Sequence, residues 1–170
     1  MLRFGGVGAP YAALVWGARA PWWVKFFCWL LVQRRIYTRD VPLRKNIVAA
    51  DAVGCPICSE TLECADHLIF SCPFAEAFSR RMGISVATMF VDGLGSLAES
   101  AGSVIQFADE FAMLCCWQLW KHRNDVVFHG QRPSLARALS CCREDALLWR
   151  GRLRDNYQSH VDTWPDALLA

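Results

Sequence analysis

Between Pro21 and Arg35 the chain has almost no polar face: Phe26, Phe27, Trp29, Leu30 and Leu31 follow one another with little interruption. Such density predicts a helix covered on most sides, and Pro21 suits its first turn, where a missing N–H costs nothing. Residues 1–20 show no clean period and read as an irregular leader. Thr38 and Asp40 stand where they can cap a second, short helix, Val41 to Ile47. Cys72-Pro73 restarts helical structure, with Cys72 at the cap and Pro73 at the first helical position. Gly83 stops that helix just after Met82.

The second half is more regular. Residues 84–102 hold Gly93, Gly95 and Gly102, and read as a connector with one helical turn, the seam between two halves. Ser103 then caps a helix in which Val104, Phe107, Phe111, Leu114 and Gln118 or Leu119 recur at helical spacing as one apolar stripe. Gly130 to Pro133 is a turn. Ser134 caps a third helix, with Leu135, Leu139, Cys142, Ala146, Trp149 and Leu153 on one face. Two amphipathic helices joined by a short turn predict an antiparallel hairpin over residues 103–155. The pattern fades over 156–170, which reads as a tail. The expected fold is mainly α, a small helical module over residues 21–83 followed by that hairpin.

Composition adds the chemistry. The chain has 170 residues, enough for a real core, and a globular balance of apolar and charged positions. Its net charge of +2 hides an asymmetry: residues 1–50 hold eight Lys or Arg against one acid, Asp40, a balance of +7, and the remainder sums to −5. A basic end suits contact with a polyanion, although a solvated charged face has the same composition. Nine cysteines cannot all pair within the chain. Four lie within residues 55–72 and the pairs Cys115–Cys116 and Cys141–Cys142 fall on the two long helices, which reads as a reduced, intracellular protein (nucleus or cytoplasm) with one metal cluster and several buried thiols. Ala18-Arg19-Ala20 has a faint likeness to a signal cleavage site, and the lack of acids before Asp40 to a transit peptide; Pro21 and the interrupting glycines argue against cleavage. Trp22 to Val32 is too short to span a bilayer and contains Lys25, so no membrane segment is expected.

The sharpest motif is Cys55-x2-Cys58-x8-His67-x4-Cys72. Two cysteines three apart around Pro56 suit a tight turn that aims both sulfurs at one ion, and the second pair returns after a loop. Cys72 at a helix start gains from the positive helix end, which favours thiolate. Zinc is the expected cofactor, and its role structural, because four protein ligands leave no open position for a catalytic water. Cys64 can stand in for His67, giving a four-cysteine set. A reduced thiol cluster without metal, and redox chemistry at Cys55 and Cys58, are the competing readings. His122, His129 and His160 are scattered and read as solvated or structural.

These motifs, with their flanks, resemble a known family. Ala20 to Leu31, then Arg35-Ile36-Tyr37-Thr38-Arg39-Asp40, then Leu43-Arg44-Lys45, then Cys55-Pro56-Ile57-Cys58, His67-Leu68 and Cys72-Pro73-Phe74-Ala75 are similar to the zinc-binding domain of plant LINE-type (non-LTR) reverse transcriptases. The resemblance covers about residues 16–82. Leu119 to Phe128 looks like the region that follows this domain in such elements. The resemblance implies nucleic-acid association. It does not bring the enzymes with it: there is no Tyr-x-Asp-Asp turn for polymerisation and no strand pattern to carry ribonuclease H carboxylates.

Lys25, Arg34, Arg35, Arg39, Arg44 and Lys45 lie among Trp22, Trp23, Phe26, Trp29 and Tyr37. Cations neutralise phosphates and rings stack on unpaired bases, which makes these six the candidate contacts for RNA or DNA. The plainer alternative, preferred for the rings, is that they are core and the charges their solvated edge. No Ser-His-Asp set, phosphate loop or H-E-x-x-H is present, so no catalytic residues are expected. The expected function is a non-catalytic, nucleic-acid-associated zinc module of retroelement origin. The other reading is a structural or protein-interaction module in which zinc only stabilises the fold.

Overall fold

The computed structural model describes residues 11–45, 47, 54–59, 62–84 and 108–150. The described residues are mainly helical: α1 (Ala12–Gly17), α2 (Trp22–Val32), α3 (Asp40–Arg44), a π-helical turn (His67–Ser71), α4 (Pro73–Arg81), α5 (Ala108–His129) and α6 (Leu135–Arg150). The one extended pairing among them is an isolated antiparallel bridge between Gly54 and Leu62. No described helix is long and apolar enough to cross a membrane.

Helix α5 is the axle. Its 22 residues extend about 33 Å at 1.5 Å per residue. The expected single stripe is too narrow a description: Phe111, Ala112, Met113, Leu114, Cys115 and Cys116 are buried in succession, all round the helix. The reason is that α2, the π turn and α6 each pack on a different side of it. Phe27 of α2 meets Trp117 edge-on at 5.4 Å and stacks near Trp120 at 5.8 Å. One apolar core therefore runs from Val15 to Trp149, and the two expected halves share it. The connector 84–102, the Ser103 cap and the tail 156–170 lie outside the described residues, apart from Ile84.

The hairpin of α5 and α6 is antiparallel. Gln118 donates to the Cys141 carbonyl, and the Lys121 ammonium pairs with Asp145 at 3.1 Å. Near the turn, the Ser134 N–H donates to His122 Nε2 at 3.1 Å, and Ser134 Oγ accepts the Arg137 N–H, which starts α6. Gly130, at φ +62°, follows the last residue of α5. The face expected on α6 is the one it buries: Ala138, Cys142, Ala146 and Trp149.

Helices α2 and α4 end in the same way. In α4 the Gly83 N–H bonds the Arg80 carbonyl and the Ile84 N–H bonds Ser79, with Gly83 at φ +71°. In α2 the Arg34 N–H bonds Leu31 and the Arg35 N–H bonds Leu30, but the left-handed position is held by Arg34, at φ 54°. Both are Schellman closures, and only one has the glycine that makes the conformation free of strain.

Three expectations need correction. The leader is not irregular over its described part: α1 packs on α2, buries Val15, and brings Trp16 within 5.9 Å of Trp29. Helix α2 is not covered on most sides: it buries Val24, Phe27, Cys28, Leu31 and Val32, and turns Trp22 and Phe26 to solvent. Thr38 and Asp40 do not cap a helix; the Thr38 hydroxyl donates to the Asp40 carboxylate, and α3 begins at Asp40. Glu63 satisfies the start of α3 instead. Its carboxylate accepts the Arg39 N–H and its carbonyl accepts the Asp40 N–H, both at 3.0 Å.

Candidate metal centre and basic cleft

The two Cys-Pro dipeptides build the site. In Cys55-Pro56-Ile57-Cys58, proline has no N–H and fixes its φ, so the chain turns at once. The turn closes with the Ser59 N–H on the Cys55 carbonyl at 2.8 Å, and Ser59 takes φ 63°. In Cys72-Pro73, Cys72 is extended and caps α4, with Pro73 opening the helix. Between them the π turn carries His67. Its wider winding is closed by the Cys72 N–H on the His67 carbonyl at 2.8 Å, which couples the histidine to the second cysteine.

The structure brings Cys55, Cys58, His67 and Cys72 together, with all ligand atoms within 4.8 Å of one another. His67 Nε2 lies 3.4 Å from Cys58 Sγ. A tetrahedral zinc, with Zn–S about 2.3 Å and Zn–N about 2.0–2.1 Å, sets ligand atoms about 3.5–3.8 Å apart, so the cluster can close on such an ion by small side-chain movements. His67 Nδ1 faces Ser71 Oγ at 3.5 Å, which orients the ring with Nε2 toward the sulfurs. Cys64 is not in the cluster. Its sulfur accepts the His67 N–H at 3.4 Å, so it supports the histidine that it was an alternative to.

The donor set is poised for a cation. Cys55 is lowered to about 4, first by the hydrogen bond from the Cys72 thiol, against the opposing effect of burial, and then by backbone hydrogen bonds from Cys58 and Ile57 and by His67. Cys72 is pushed up because it donates that bond and because it is buried, while the Phe74 and Ala75 N–H groups at the start of α4 act the other way. The bond between the two sulfurs favours the thiolate on Cys55 and the thiol on Cys72, and binding of a dication would release the remaining proton. The remaining thiols behave differently. Burial pushes Cys28, Cys115 and Cys116 up, which keeps them neutral and makes them small apolar core residues.

Residues 1–78 match the family model for zinc binding in reverse transcriptase. That match supports a reverse-transcriptase-type zinc-binding domain in the segment that contains all four clustered residues. It also takes in α1. No curated protein and no solved structure matches significantly.

The zinc-binding segment is fastened to the hairpin by a contact that sequence reading missed. Arg123 of α5 grips Glu63 with two bonds, Nε to Oε1 and Nη2 to Oε2, both 2.7 Å, and both side chains are buried. Arg123 also lies over the Trp120 ring, 5.4 Å from its centroid. Glu63 thereby joins three elements, since it also opens α3 beside Arg39, whose Nη1 donates to the Gly54 carbonyl. Nothing in the sequence sets Glu63 apart from Glu60, the other acid between Cys58 and Cys64.

The six candidate nucleic-acid contacts divide. Arg34, Arg35, Arg44 and Lys45, with Gln33 and Val41, line one open cleft of about 750 Å³ between the end of α2 and α3. Two acids temper it: Asp66 pairs with Arg34, and Asp40 with Arg44 at 3.1 Å. The net charge of the cleft and its partners is still positive. Arg39 instead backs the first Cys-Pro turn, beside Gly54, Cys55 and Pro56. Lys25 lies at the other end of α2, its Nζ donating to the Trp16 carbonyl at 3.1 Å.

Proposed function

We propose that the chain is a non-catalytic zinc module derived from a plant LINE-type retroelement, and that it associates with RNA or DNA through the cleft between α2 and α3. The zinc holds the Cys-Pro turns and the π turn in register and takes no part in any reaction. Four protein ligands would complete a tetrahedral shell, which fits a closed structural site. All nine cysteines are free of disulfides, which supports a reducing compartment, nucleus or cytoplasm.

The observation that carries the nucleic-acid reading is the gathering of Arg34, Arg35, Arg44 and Lys45 on one open concave surface. Guanidinium groups hold phosphate bidentately, and a concave surface focuses their field. The test is fluorescence anisotropy of labelled RNA and DNA strands with the zinc-loaded chain across a salt series. Two to four neutralised phosphates predict a log–log slope of about −1.4 to −3.6. Arg35→Glu with Lys45→Glu should weaken binding and flatten the slope. Absence of binding at low salt would leave a module in which zinc only stabilises the fold.

A further inference from the structure

The exposed rings of α2 are hard to explain as packing. Trp22 is 71% exposed and Phe26 51%, with Trp16 of α1 at 47% beside them. Trp23 meets Trp22 edge-on at 6.0 Å. Large rings left half or more in solvent forgo burial free energy, so a cluster of them marks a surface that something covers.

Two observations say what covers it. The first is charge. Neither α1 nor α2 contains an acid, and the cation amid the rings is Lys25. The nearby carboxylate of Glu110 is buried and engaged by the Arg19 N–H at 2.8 Å. The surface is aromatic and positive, which fits the π-faces and phosphates of a polynucleotide and not an acid-seeking or purely apolar partner. The second is continuity. Trp22, Phe26, Leu30 and Gln33 are spaced by four, four and three residues, so they follow one edge of the helix. That edge runs about 16 Å from Trp22 to Gln33, at 1.5 Å per residue, and Gln33 is already part of the cleft that holds Arg34, Arg35, Arg44 and Lys45.

We propose that the solvent edge of α2 is a stacking platform for unpaired bases: Trp22 and Phe26 take base faces, while the strand's phosphates pass into the Arg34–Lys45 cleft. This rests on the nucleic-acid reading above and narrows it to single strands, because rings can stack only on bases that are not already stacked in a duplex. The surface is sequence-tolerant, since every base offers a π-face.

The experiment uses the full zinc-loaded chain and a labelled 15-nucleotide single strand, as RNA and as DNA, with the matching duplex as competitor. Anisotropy gives Kd for the wild type, Trp22→Ala with Phe26→Ala, Trp22→Phe, and Arg35→Glu with Lys45→Glu. The platform predicts single-strand preference in the wild type. It predicts a loss of about 5- to 150-fold for each ring truncated, the span of alanine effects for stacked bases. The salt slope should be unchanged by ring truncation, because the charges remain, and Trp22→Phe should keep most of the affinity. If the ring variants bind as tightly as wild type while the charge variant fails, the platform is wrong and the nucleic-acid reading stands. Absence of wild-type binding to any strand would remove both. A change of oligomeric state on ring truncation, seen by sedimentation with strand affinity intact, would give the surface to a second copy and overturn the platform.

Discussion

Replacing Arg123 by methionine isolates the contact that joins the zinc-binding segment to the hairpin. Methionine keeps an unbranched apolar side chain in the buried position and removes the charge. Glu63, 0% exposed, is then left with the Arg39 N–H as the one remaining partner of its carboxylate in the network described above. Stranding one member of a buried pair costs about 3–5 kcal/mol, a large share of the roughly 5–15 kcal/mol that holds a domain together. For a chain of this size that is a fall in Tm of about 6–20 °C. The double variant Glu63→Gln with Arg123→Met should lose less than Arg123→Met alone, because glutamine is uncharged and its carbonyl can still accept from Arg39. Urea denaturation followed by circular dichroism gives both values, with zinc present throughout. Because Glu63 also starts α3 and sits beside Cys64, Arg123→Met should release zinc to an indicator faster than wild type. A loss below about 1 kcal/mol, or a double variant whose loss is the sum of the singles, would refute the reasoning.

Other consequences follow from single contacts. Cys64→Ala should retain one zinc per chain, and His67→Ala should lose it, in titrations with a chromophoric chelator; the reverse pattern would make Cys64 the ligand. Burial, aided by the Arg137 charge and opposed by Asp125, lowers His122 from its ordinary 6.5, and the neutral ring accepts the Ser134 N–H. Its contribution, about 0.5–1.5 kcal/mol, is therefore present above pH 6.5 and declines as pH falls below it, so the stability gap between wild type and His122→Gln should narrow between pH 7.5 and 5.5. A constant gap would contradict this. Arg34→Gly removes a left-handed arginine worth roughly 1–2 kcal/mol of strain and an exposed ion pair worth about 0–1, so urea melts should find the variant as stable as wild type or more so, while strand binding weakens.

What could be read from the sequence was what is decided locally. Cys72-Pro73, Gly83, Gly130 and Ser134 do at their positions what their chemistry dictates, because caps and closures depend on neighbours within a few residues. The clustering of Cys55, Cys58, His67 and Cys72 was legible for the same reason, as spacing around two Cys-Pro turns. The rest depends on distant partners. Glu63 and Arg123 are 60 positions apart, and nothing near either announces the pair. The run of apolar residues in α2 suggested burial on most sides, but only α1 and α5 pack on it appreciably, and their contacts leave Trp22 and Phe26 in solvent. In α5 the stripe was legible but the burial all round it was not: buried Gln118 and His122 find their hydrogen-bond partners on α6 and in the turn before it. The π turn, which sets His67, has no sequence signature of its own.

The zinc itself is the most direct test. Native mass spectrometry of the purified chain, beside Cys55→Ser and Cys72→Ser, should find one zinc per wild-type chain and none in either variant, with helical signal lost together with the metal. A chain that carries no metal and is nevertheless folded would contradict the account.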